Sequence, residues 1–161
     1  MSAAHRRRGG SGGRSAPGPE TDWDSDPVGA ANAFFGPLVP GMLGCEFTEV
    51  TKELVVGRIH VTEKLIAGTG YLFAPAVIAL ADTLCAIGTP GNAPPNSTFT
   101  TIELKTNFLG SAREGETVEG RATPRHVGRT TQVWDCEVTN LDTGRTIALF
   151  RNTQMILPRR A

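Results

Sequence analysis

The sequence predicts an α+β fold: one long apolar helix held by an antiparallel sheet of about six strands. Three observations lead there. The run 68–88, GTGYLFAPAVIALADTLCAIG, is apolar almost all round, with a single acid, Asp82, in its middle. Segments of alternating polarity stand on both sides of it, as half-buried strands require. Breaker stretches, TPGNAPPNS (89–97), GSAREGE (110–116) and LDTG (141–144), punctuate them.

The elements follow in order. Residues 28–36 read as a short amphipathic helix ending near Pro37. Gly41 to Glu49 leads into the first strand. In 53–62, ELVVGRIHVT, the residues Val55, Ile59 and Val61 share one face; Arg58, His60 and Thr62 share the other. The long helix occupies 73–88, with Pro75 in its first turn, where a missing N–H does no harm. Four strands then follow without another helix. In 99–109, Ile102, Leu104 and Phe108 oppose Glu103, Lys105 and Asn107. In 117–127, Pro124 marks a bulge or an edge. In 130–139, Trp134, Cys136 and Val138 face one way, and 145–157 is the last strand. The order is β-β-α-β-β-β-β.

Composition narrows the class. The chain has 161 residues, 39% hydrophobic and 20% charged, which suits one soluble domain. Sixteen basic and sixteen acidic residues cancel, so charge points to neither nucleic acid nor a membrane surface. Residues 1–27 are rich in Gly, Ser, Pro and Arg and are expected to form a disordered tail before a single domain at 28–161. The tail carries Arg6, Arg7, Arg8 and Arg14, then Glu20, Asp22, Asp24 and Asp26. A dedicated electrostatic tether wants roughly five or six clustered like charges, so a solvated tail is the expectation. No apolar h-region of a signal peptide follows the arginines. The helix at 73–88 falls short of the roughly 20 apolar residues a membrane span needs. Cys45, Cys85 and Cys136 form no CxxC pair, and the expected compartment is the cytoplasm. No GxGxxG, P-loop or metal-ligand cluster appears.

Two stretches carry a family resemblance. GYLFAPAVIALADT (70–83) is similar to the helix-entry motif of the PaaI-like acyl-CoA thioesterases, a His-Gly-Gly entry followed by Leu-Ala-Asp/Glu. FTTIELKTNFL, HVGRTTQVWD and GRTIALFRNTQMIL, within 99–156, resemble that family's sheet. The resemblance spans about 45–158 and implies the hot-dog fold. It implies hydrolysis of acyl-CoA thioesters, with coenzyme A as part of the substrate and no metal or redox cofactor. By position, Asp82 stands at the family's carboxylate. Ala74 stands at the glycine whose backbone N–H polarises the thioester carbonyl, and Thr83 is a candidate helper. Arg129 and Thr130, with His126 and Arg125 nearby, fall near positions that contact the coenzyme A nucleotide; the PRR end (158–160) resembles a basic terminus with the same role. Phe73, Ala74 and Pro75 replace His-Gly-Gly, and Ala67 stands where an Asn or Gln precedes the helix. Phe73 and Pro75 would then line an apolar acyl end, aromatic or medium-chain. The rival readings are a non-catalytic acyl-CoA-binding protein and a hot-dog hydratase.

Geometry adds a constraint of its own. An unpaired buried carboxylate is costly, so Asp82 has a partner or a use. The structural alternative has it bonded to Thr83, Thr98 or a strand N–H. Asp82 lies eight residues beyond Ala74, about 12 Å along a helix. A reacting carbonyl must sit within about 3 Å of both groups. Two antiparallel helices from two chains satisfy that, so the smallest active unit is a homodimer, with a homotetramer as the expected assembly. Cys85, one turn from Asp82, lacks a His partner and reads as a core thiol.

Overall fold

A computed structural model describes residues 22–159. Its elements are α1 (Pro27–Phe35), α2 (Val39–Met42), β1 (Cys45–Val50), β2 (Val55–His60), α3 (Ala74–Gly88), β3 (Ser97–Phe108), β4 (Thr117–Val127), β5 (Thr131–Asn140) and β6 (Arg145–Pro158). Short 3-10 turns lie at Glu63–Leu65 and Pro90–Asn92. The six strands form one antiparallel sheet in the order β1-β2-β4-β5-β6-β3. The chain leaves the sheet after β2, runs through α3 and re-enters at the far edge as β3. This is the expected α+β arrangement, one long helix on a six-stranded antiparallel sheet.

Small residues let α3 come close. Leu80 and Leu84 are fully buried. A Cβ at Gly120 would stand 2.6 Å from Leu84 Cδ1, and one at Gly57 would stand 2.9 Å from Leu84 Cδ2. At Gly88 a Cβ would overlap the Trp134 ring. The buried Trp134 indole Nε1–H donates to Gln132 Oε1 (3.0 Å), and Gln132 Nε2 donates to the Thr89 carbonyl (3.2 Å). The end of α3 is thus stitched to β5 by fully paired polar groups, as burial demands.

Two strand irregularities re-aim side chains. The β3–β6 register shifts between Thr101 and Glu103, and the β4–β5 register shifts between Pro124 and His126. The second matches the bulge expected from Pro124.

Some expectations need correction. The sheet covers α3 less fully than its apolar character leads one to expect. Ala74 and Pro75 are exposed, and Ile78, Ala79, Asp82 and Ala86 are only half-buried, so one stripe of α3 stays open. The apolar side of β3 is open too: Ile102, Leu104 and Phe108 are each 44–50% exposed, because β3 is an edge strand and α3 does not reach over it. The described residues begin inside the segment read as a tail, 1–27. Within it, 22–26 already form a turn; Asp22 accepts from the N–H groups of Asp24 and Ser25, and Asp26 caps α1 at the Gly29 N–H (2.8 Å). The Arg6–Arg8 cluster lies outside the described residues. Finally, counted through the 3-10 turn, Ala74–Asn92 is 19 residues, long and apolar enough by composition to cross a membrane. Packing on the sheet accounts for that apolar character.

Candidate active site

Asp82 projects from the open stripe of α3 toward the β6–β3 side of the sheet. Its Oδ1 accepts from Asn152 Nδ2 (2.8 Å) and lies 3.2 Å from the Thr101 hydroxyl. Oδ2 accepts no hydrogen bond among the described residues. The carboxylate is therefore held by one oxygen and left open at the other. Thr101 comes from β3 just before its bulge, and Asn152 comes from the buried face of β6. The structural alternative named Thr83, Thr98 or a strand N–H as its partner. Thr83 instead turns its hydroxyl back onto the Ala79 carbonyl (2.7 Å), the usual i−4 bond of a helical threonine. That is the local bond weighed from the sequence against a helper role.

The first turn of α3 has one open donor. Phe73 N–H is taken by the Leu65 carbonyl (2.8 Å), Ala76 N–H by the Phe73 carbonyl (2.9 Å), and Pro75 has none. No described group accepts the exposed Ala74 N–H. A free N–H at a helix N-terminus carries part of the helix's positive end and suits a developing oxyanion. Among non-glycine described residues only Asn96 has positive φ, so alanine sits at position 74 without the backbone strain that glycine would relieve. Phe73 is exposed beside it and free to touch a ligand.

The basic candidates divide. Arg125, the bulged residue of β4, reaches Asp135 (3.3 Å), which also takes Arg151 Nη2 (2.8 Å). Asp135 alternates with the buried Trp134 and Cys136, so this cluster lies on the sheet face turned away from α3 and Asp82. A groove of about 650 Å³ on that same face, lined by Lys105, Arg121, Asp135, Glu137 and Arg151 among others, is likewise not at the carboxylate. Arg125 thus does not join Asp82 within one chain. Arg129 and Thr130 sit exposed at the tip of the β4–β5 hairpin, and Arg129 has no side-chain partner among the described residues. His126 is exposed beside them. Arg113 stacks on Tyr71 (5.1 Å to the ring centroid), near the entry to α3.

The cysteines are inert. Desolvation pushes Cys45 and Cys136 up to about 12 and holds Cys85 well above the ordinary thiol range. None supplies a thiolate near neutral pH. No group of three or more metal-ligating side chains occurs among the described residues.

Sequence reasoning found Asp82 and Ala74 but missed Thr101, Asn152 and Gln154. A signal was present: Phe150 and Ile156 are the inward positions of the last strand, and the same parity puts Asn152 and Gln154 inward.

The comparisons with known proteins agree with this architecture. The Thioesterase superfamily model matches residues 69–147. The chain is 30% identical over 118 residues to the 1,4-dihydroxy-2-naphthoyl-CoA hydrolase of Listeria monocytogenes, covering 73% of this chain and 94% of that one. It is 33% identical over 117 residues to the putative esterase ComA2 of Bacillus subtilis, covering 71% and 90%. A mutant of thioesterase PA1618 from Pseudomonas aeruginosa superposes with a TM-score of 0.76 at 26% identity, covering 81% of this chain and 94% of that chain. The open first turn of α3, the half-buried acid in its middle and these similarities place the chain in the thioesterase superfamily, as a hot-dog thioester hydrolase.

Proposed function

We propose that the protein hydrolyses acyl-CoA thioesters carrying an aromatic or medium-chain acyl group, using Asp82 and the Ala74 N–H at a site shared by two copies of the chain. The observation that carries this reading is the pairing of one restrained, one-side-open carboxylate with one free N–H on the same stripe of α3. About 12 Å of helix separates them, so each needs the other from a second, antiparallel helix. The open stripe and the uncovered Ile102, Leu104 and Phe108 offer the apolar face such a copy would cover. A homodimer is the smallest active unit, and a homotetramer is the assembly we favour.

In the general-base route, Asp82 Oδ2 takes a proton from water as the water oxygen attacks the thioester carbon. The carbonyl oxygen gains charge and is held by the Ala74 N–H. Collapse breaks the C–S bond; the sulfur leaves with the proton, giving free acid and coenzyme A. In the nucleophilic route, Oδ2 attacks the carbon directly and the C–S bond breaks to release the thiolate of coenzyme A. Water then cleaves the mixed anhydride, returning the Asp82 carboxylate and supplying the proton that the thiolate takes up. Phe73 and Pro75 face the acyl group, while Arg129, Thr130 and His126 meet the nucleotide; a guanidinium suits phosphate. No resident cofactor is needed. Three buried free thiols suit a reducing compartment, which supports a cytoplasmic location.

The test is free-thiol release across an acyl-CoA panel, with Asp82→Asn alongside. Turnover falls roughly 10²- to 10⁴-fold in the variant, with the fold unchanged by circular dichroism. Release from no substrate favours the non-catalytic binding protein, to which Phe73 in place of His and Ala67 in place of an amide already lean. Hydration of an enoyl-CoA without thiol release favours the hydratase. Oxygen-18 from labelled water entering Asp82 in a single turnover selects the nucleophilic route.

A further inference from the structure

Behind Asp82 lies a buried polar cluster that the mechanism above does not use. Asn152 and Gln154, two residues apart on β6, are both fully buried. The Thr101 hydroxyl lies 3.2 Å from Asp82 Oδ1 and 3.2 Å from Gln154 Oε1. A hydroxyl has one proton and can donate to only one of them. The carboxylate is the stronger acceptor, because its bond is charge-assisted. The lone pairs of Thr101 Oγ1 then face Gln154, where an amide oxygen would repel them. Gln154 Nε2, meanwhile, is buried without a partner. Turning that amide by half a rotation removes the repulsion and gives Nε2 an acceptor, while Oε1 takes the place that has no partner among the described residues; its O and N occupy equivalent places.

We propose that Gln154, Thr101 and Asn152 form a directional cradle that positions Asp82: Gln154 Nε2 donates to Thr101 Oγ1, Thr101 Oγ1 donates to Asp82 Oδ1, and Asn152 Nδ2 donates to the same oxygen. Each donor in the relay polarises the next toward the carboxylate. Oδ1 is thereby occupied by two donors from two strands, and the side chain cannot rotate without breaking both bonds. Oδ2 is the reacting oxygen. Thr101, Asn152 and Gln154 are positioning residues for the reaction proposed above, and their role in it rests on that reading.

The hydrogen bonds and the role are tested separately on the full chain. Side-chain amide signals in ¹H–¹⁵N spectra read the bonds without any substrate. Thr101→Val, which keeps shape and removes the hydroxyl, moves the Gln154 side-chain amide upfield; Asp82→Asn moves that of Asn152. A Gln154 signal unmoved by Thr101→Val overturns the relay. Kinetics read the role. Thr101→Val and Gln154→Met lower kcat, the former by roughly 10²-fold as expected for a misplaced reacting group, with KM within about twofold because no donor touches the substrate. Thr101→Ser, which restores the hydroxyl, recovers kcat to within about threefold of the original. A merely structural role leaves kcat intact, or lowers it with loss of folded protein and without rescue by serine; either result overturns the positioning role. If the unmodified protein releases thiol from no acyl-CoA, the hydrolase reading and the positioning role fall together, while the amide signals still decide whether the cradle exists.

Discussion

The two faces of α3 are both apolar, and they do opposite things. One face, through Leu80, Leu84 and Gly88, is pressed against Gly57, Gly120 and Trp134 so closely that added methyl groups have no room. The other, through Ala74, Ile78, Ala79, Asp82 and Ala86, remains open along its length. The closed face fixes where the helix lies. The open face carries the free N–H and the one acid, 12 Å or so apart by helix rise. Hydrophobicity alone does not tell these faces apart; what tells them apart is the placement of glycine opposite one and of polar donors opposite the other.

The largest expected effect breaks the open face. Ala74→Pro removes the N–H and puts the ring's Cδ in its place without disturbing the backbone: Phe73 already holds φ −60° and ψ 119°, which a following proline accepts. Loss of an oxyanion donor lowers kcat by roughly 10²- to 10³-fold, read by thiol release, with the melting temperature little changed. Next comes the surface beside it. Leu104→Asp puts a charge on the apolar, 44% exposed edge strand. It converts the assembly to monomer by sedimentation, with activity lost in proportion because each monomer holds half a site.

On the closed face, Gly88→Ala forces a Cβ into the Trp134 ring. Overpacking of this kind costs about 1–3 kcal/mol, seen as a lowered denaturation midpoint, with kcat in the folded fraction nearly unchanged. A stability loss from Ala74→Pro, or a specific kcat loss from Gly88→Ala, would merge the two faces again. The smallest effect concerns the thiols of the closed core. Cys45 and Cys136 stay protonated up to about 12, because burial disfavours the thiolate. A folded value raised above the ordinary 9.0 gives stability that is intact below pH 9 and is lost as pH rises toward 12. Thiol reagents at pH 8 therefore label the native protein slowly and the unfolded protein fast.

Much of this was legible in the chain. Strand parity and breakers placed β2 to β6 to within about two residues, since alternation is set by one buried face, while β1 (Cys45–Val50) was only approached as the stretch from Gly41 to Glu49. The family motif pointed to Asp82 and Ala74, and simple helix rise is the ground on which a second chain is proposed. What escaped depends on which strands become neighbours. β3 and β6 are separated by two intervening strands in sequence yet pair in space, and only that pairing brings Thr101 and Asn152 to Asp82. Thr98 was the strand threonine named from the sequence, and only the register puts Thr101 inward beside Gln154. Arg125 shares the parity of Arg121 and Thr123, the face turned away from Asp82 in the same chain, and the bulge after Pro124 moves His126 to that face as well.

The central claim, a site completed by two chains, is tested most directly by mixing two inactive variants. Ala74→Pro keeps its Asp82, and Asp82→Asn keeps its Ala74 N–H. In a two-fold dimer of one of each, one site loses both groups and the other has both intact, so an equimolar, freely exchanged mixture recovers about a quarter of the original activity per chain. Recovery near that value is the predicted result. A mixture as inactive as its parts, with subunit exchange confirmed by mass spectrometry, would contradict the shared site.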